Sequence, residues 1–131
     1  MTTTTTAKLM PASTARTIAR QVDEPGTTPL RESGIYRVLA EAGYTAHEIA
    51  TLCGRHWNHV DLRLGLADLD QASRDALDAG TITVGLAWYI SRLSAPNQRV
   101  MLARWKRGDF KDAHEASDHA ADLRRLEAPT T

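Results

Sequence analysis

Nine side chains between Thr45 and Arg63 have the chemistry to grip and read a nucleic-acid duplex. Asn58 can pair with adenine through two hydrogen bonds, and Asp61 can accept from the exocyclic amine of cytosine. Trp57 offers an apolar face to a thymine methyl, and His59 adds a further hydrogen-bonding group. Arg55 and His56, with Thr45 and His47 a little upstream, supply donors of the kind that contact phosphates. Arg63 either contacts a phosphate or holds helix packing. Trp57 has a bland alternative too, simple packing against its neighbours.

Such groups work only if a rigid element aims them, and the surrounding residues predict a helix-turn-helix. Thr45 stands three residues before Glu48, the spacing of a capping box that satisfies two unpaired amides at a helix start. Ile49, Ala50 and Cys53, flanked by Leu52, make an apolar stripe over two turns. Gly54 follows at the position where a left-handed residue ends a helix. A second helix then runs through Leu64, with Val60 and Leu64 four apart on one face. Ala50 is small enough to let the two helices approach, and Val60 fills the angle between them. The outer face of the second helix carries His56, Trp57, Asn58, His59, Asp61 and Arg63.

Composition sets the frame. The chain has 131 residues, 42% of them apolar, enough for one modest helical core plus tails. No apolar run approaches the roughly 20 residues that cross a bilayer, and the Thr-rich start has no apolar signal segment. The expected location is therefore cytoplasmic, associated with a nucleoid or plasmid. The single cysteine, Cys53, reads as a buried thiol. Sixteen basic and sixteen acidic side chains leave a formal net charge of zero, which argues against a non-specific, charge-driven binder. A sequence reader needs only local basic groups, here Arg55 and Arg63 with His56 and His59.

In chain order, residues 1–28 are Thr-rich and broken by Pro11, Pro25 and Gly26, which predicts a flexible arm. Within it Ala15 to Val22 has the pattern of a short helix. Pro29 to Ala42 reads as the first firm helix, with Leu30, Ile35, Val38 and Leu39 on its apolar face and Gly43 at its end. Gly34-Ile35-Tyr36 resembles half of a nuclease signature, but Tyr89-Ile90-Ser91 is too distant and lacks the glycine to complete it. Asp70 to Ala79 is a short helix capped by Asp70 and stopped by Gly80. Thr83 to Leu93 is the most apolar segment and the expected central core helix. The next helix starts at Ser94-Ala95-Pro96, turns Val100, Met101 and Trp105 inward, and ends in Arg104, Lys106 and Arg107 before Gly108. Cations in a last turn suit the helix dipole; phosphate contact is the sharper alternative. The last helix, about Lys111 to Leu126, has a narrow seam of Ala113, Ala116, Ala120 and Leu123. That seam suits docking on the same chain, or a homodimer through the C-terminal helix. The expected fold is all-α, with about six to seven helices. Residues 29–126 form the domain and 127–131 a tail.

In this order of segments the chain resembles the central DNA-binding domain of the ParB/Spo0J/KorB family of partition proteins, over about residues 30 to 126. The landmarks are Gly43-Tyr44-Thr45, Glu48-Ile49-Ala50, Gly54, Val60, Arg63-Leu64, Leu66 and Leu69, similar to that family's helix-turn-helix and its leucine-rich exit. They continue in Leu77-Asp78-Ala79-Gly80-Thr81-Ile82-Thr83-Val84-Gly85-Leu86-Ala87, similar to its acidic short helix and Gly-His-Ala core helix. Pro96 and Gln98, with one residue between them, fall where the family often starts its next helix with a similar Pro-x-x-Gln. The resemblance implies sequence-specific binding of double-stranded DNA, in plasmid or chromosome partition or as a transcriptional regulator. Two features depart from it. Nothing in residues 1–29 resembles the family's CTP-binding domain with its Gly-Glu-Arg-Arg box, and Leu86 replaces the histidine of Gly-His-Ala. The family's usual C-terminal dimerisation domain is also not found, so neither a CTPase nor any other cofactor is carried over.

Two other classes compete. An enzyme would lean on the histidines, but His56 and His59 lack acidic or cysteine partners, and His114 and His119 point to different faces of one helix. No metal site, phosphate loop or nucleophile arrangement follows. A helical protein-interaction module, an adaptor or antirepressor that kept the fold without DNA binding, fits the neutral charge. A steep salt dependence of DNA binding separates the two.

Overall fold

The computed structural model describes residues 8–128, and all regular structure among them is helical, as the apolar spacing predicts. There are eight α-helices and two short 3-10 turns, one helix more than the upper end of the sequence expectation. The chain divides between Leu64 and Gly65 into two compact units. That boundary falls at the end of the second motif helix.

The first unit begins with helix α1, Ala12–Ala19, followed by a 3-10 turn at Arg20–Asp23, overlapping the short helix that the sequence pattern offers over Ala15 to Val22. Ala15, Ala19 and Val22 are buried in the unit's core. Two alanines four apart make a flat face, so the helix backbone can approach its neighbours closely. Composition concealed this, because alanine adds little hydrophobicity to a Thr- and Pro-rich segment. The segment before α1 is tied down as well. Lys8 Nζ donates to the Gly43 carbonyl at 2.8 Å and to Glu48 Oε1 at 2.6 Å, and Tyr44 OH donates to the Met10 carbonyl at 3.0 Å. Residues 1–7 of the expected arm lie outside the described residues.

Helix α2, Pro29–Glu41, starts at Thr28, whose hydroxyl accepts from the Arg31 amide at 3.1 Å. It buries Glu32, Ser33, Ile35, Tyr36 and Leu39. Val38, expected inward, is 46% exposed, because it falls outside the line of residues 32, 35, 36 and 39. Helix α3, Ala46–Cys53, has the complete capping box: Thr45 Oγ1 accepts from the Glu48 amide, and Glu48 Oε1 accepts from the Thr45 amide at 2.9 Å. Gly54 ends it at φ 66°, a left-handed conformation that glycine adopts without a Cβ clash. Helix α4, Trp57–Gly65, follows, with Val60 fully buried and Leu64 packed on the same core as α1, α2 and α3.

The second unit holds a 3-10 turn at Leu66–Asp68 and helices α5 (Gln71–Asp78), α6 (Val84–Ser91), α7 (Ala95–Arg107) and α8 (Ala113–Glu127). Each helix is capped by the residue before it: Asp70, Thr83, Ser94 and Asp112 all accept from an amide in the first turn. Helix α6 is its centre, burying Leu86, Ala87 and Ile90. The alanine seam of α8 packs in part within the chain. Ala116 and Ala120 are fully buried as α8 packs on α6 and α7, while Ala113 and Leu123 of that seam stay partly exposed. Val100 is 48% exposed, against the inward placement expected; Met101 is fully buried, and Trp105 donates from its indole to the Thr81 carbonyl at 2.8 Å. Gln98 is buried with both ends of its amide used. Its oxygen accepts from the Asp70 amide, and its nitrogen donates to the carbonyls of Asp68 and Leu93. Of the expected tail, Glu127 instead accepts from the Ser94 amide at the start of α7, and residues 129–131 lie outside the described residues.

Candidate nucleic-acid interface

Helix α4 presents three faces, each marked by a pair four residues apart, the repeat of an α-helix. Val60 and Leu64 face the core. Trp57 and Asp61, with Asn58 beside them, are exposed. His59 and Arg63 lie between these faces, and both reach the same carboxylate, that of Glu32 on α2.

Glu32 is 8% exposed and gathers most of the polar chemistry behind the motif. Its Oε2 accepts from Tyr36 OH at 2.5 Å and lies 2.6 Å from His59 Nε2. Its Oε1 accepts from Arg63 Nε at 3.0 Å, and Arg55 Nε stands 3.9 Å from Oε2. Burial by itself would raise the carboxyl's pKa; the hydrogen bonds from Tyr36 and His59, with the charges of His59 and Arg63, outweigh it and hold it below the usual carboxylate range. The same arrangement pushes the Tyr36 phenol up, first through burial and then through the bond to Glu32. Sequence reasoning missed Glu32. The signal was available, since residue 32 shares the buried face of α2 with Ile35, Tyr36 and Leu39, and a carboxylate in such a line needs partners.

Arg55, at the turn, is likewise engaged. Its Nη1 donates to the Cys53 carbonyl at 3.1 Å and its Nη2 to Asp23 at 2.9 Å. The Asp23 bond is the main reason its pKa is raised. His56 accepts the Asn58 amide on its Nδ1 at 3.2 Å and so caps the start of α4, while remaining exposed. Trp57, 41% exposed, lies between two imidazoles, its ring centroid 5.2 Å from His47 and 6.0 Å from His56. Thr45 and His47 are exposed at the start of α3. The Asn58 side chain and the Asp61 carboxylate make no hydrogen bond within the described residues. Of the nine candidate residues, then, Arg55, His59 and Arg63 are brought together around Glu32, and His47, His56 and Trp57 around the indole.

Two of the three cations at the end of α7 are engaged. Arg104 and Arg107 both bind Asp109 just past the end of α7, and Arg104 lies over the Phe110 ring and 2.8 Å from His119 Nε2. Cys53 is buried, which pushes its thiol up to about 11. Among the described residues no three His, Cys, Asp or Glu side chains are grouped to hold a metal ion, and no helix is long and apolar enough to cross a membrane.

The family model of the ParB HTH domain matches residues 27–108. No curated protein matches the chain. Among solved structures, it is similar to the DNA-binding domain of the chromosome-partitioning protein ParB, crystallised in complex with the centromeric parS site. The TM-score is 0.75 at 24% identity, covering 93% of this chain and 86% of that one, which establishes a shared fold. The matched segment includes every helix from α2 to α7, and with more than half of its length so matched, the chain belongs to the ParB HTH domain family.

Proposed function

We propose that this protein binds double-stranded DNA in a sequence-specific manner, with α4 as the helix that enters the major groove. The observation that carries this reading is the outer face of α4, where Trp57, Asn58 and Asp61 stand exposed on a helix anchored by the buried Val60 in a ParB-type helix-turn-helix. Asn58 would read adenine and Asp61 cytosine, while Trp57 offers its face to a thymine methyl. Thr45, His47, Arg55 and His56 flank this face at the start of α3 and at the turn, where phosphates would pass. The solved relative was crystallised on a centromeric site, and plasmid or chromosome partition is the process we assign, with transcriptional regulation as the variant that shares the same groove chemistry. A homodimer on paired half-sites would supply the affinity that one such motif lacks.

The test is selection from a random duplex pool with wild type beside Asn58→Ala and Asp61→Ala. A discrete enriched motif, relaxed at one position by each substitution, is the expected result, and its symmetry reports the dimer. No enrichment at low salt would sink DNA reading and favour a protein-interaction module.

A further inference from the structure

We propose that Glu32 is the positioning residue of this interface: from α2 it fixes the rotation of α4 and withholds His59 and Arg63 from the duplex, leaving base reading to Trp57, Asn58 and Asp61. The inference rests on the DNA-binding reading and assigns roles within it.

The geometry is that of a nearly filled acceptor. A carboxylate offers about four lone-pair sites; Tyr36 and His59 take both on Oε2 and Arg63 takes one on Oε1, while the Arg55 guanidinium adds its charge 3.9 Å from Oε2. Tyr36 belongs to the same helix as Glu32, so it orients the carboxylate before α4 is met. His59 and Arg63 are four apart on α4, so two anchors at different heights hold the helix against rolling about its axis. Asn58, one position from His59, and Asp61, two positions from each anchor, are thereby aimed outward. A roll of α4 by one residue position, about 100°, would carry them off that face. Arg63 is a guanidinium with most of its side chain covered, which suits an internal pair better than a mobile phosphate contact.

The experiment measures affinity for the selected motif, affinity for random duplex, and the salt slope of each, for wild type, Glu32→Gln and Arg63→Met, corrected for folded fraction. Methionine keeps the packed stem of Arg63 and removes its charge. A phosphate contact contributes about 0.9 to the slope. If Glu32 positions α4, both variants lower the motif-to-random ratio by about tenfold, the order of one misread base pair. The Arg63→Met slope stays at the wild-type value, and Glu32→Gln leaves the slope unchanged or steeper as Arg55 and Arg63 are freed. Arg63→Met with a kept ratio and a slope reduced by about one would make Arg63 a phosphate contact and overturn the inference. Equal loss of motif and random binding in both variants would overturn it too, since that is damage to the whole surface. Wild type that binds no duplex would instead bring down the DNA-binding reading on which the inference stands.

Discussion

Glu32 and Arg63 lie 31 residues apart in the chain and meet at 3.0 Å across the interface of α2 and α4. The pair is buried on the carboxylate side, so its charges are poorly screened. Breaking a buried pair by removing one partner typically costs about 3–5 kcal/mol; here the loss is smaller on the Glu32 side, because Tyr36 and His59 still reach its carboxylate.

The pair makes stability depend on pH. Glu32 has a lowered folded-state pKa, so its stabilising contribution is complete above the ordinary glutamate value of 4.5 and is lost as pH falls through the folded value. Denaturant melts from pH 7 downward should show wild type losing more stability below about pH 4.5 than Glu32→Gln does. Parallel curves would remove Glu32 from the acid response.

Cys53 is predicted to be inert in the folded protein. Its thiol is buried and its pKa pushed up to about 11, so the thiolate population at pH 8 is small. Alkylation by iodoacetamide should be slow in buffer and fast in denaturant. Fast labelling of folded protein would mean that α3 opens readily.

Thr45→Ala should cost about 1 kcal/mol through the lost cap. The Thr45 oxygen is used as an acceptor by the Glu48 amide, which leaves its hydroxyl hydrogen free to donate. If that hydrogen reaches a phosphate, the substitution also weakens motif and random duplex alike. Stability loss without weaker binding would confine Thr45 to capping.

Gln98→Ala should destabilise by about 2–4 kcal/mol, because it strands the Asp70 amide and the carbonyls of Asp68 and Leu93. Thermal unfolding checks this directly. A drop near that of an exposed substitution would mean that water replaces the amide.

Helix ends were the most legible part of the chain. The Thr45–Glu48 box, the Gly54 stop and the Asp70 cap join residues within a few positions of each other, so spacing alone specifies them. The second motif helix and its buried Val60 were legible for the same reason. Helix α1 was only half visible. Its alanines bury little surface and gain their place from what packs on them, which no local window contains.

The sequence by itself therefore determined the helices, the turn between α3 and α4, and the set of polar groups around it. Tertiary structure alone decided which of those groups are free. His59, Arg63 and Arg55 have the same chemistry on paper as Asn58 and Asp61, yet a carboxylate from α2 and another from Asp23 engage them. A buried carboxylate cannot stay charged without donors, and two of the three that satisfy Glu32 lie 27 and 31 residues away along the chain. Only the packing of α2 on the motif brings them within reach.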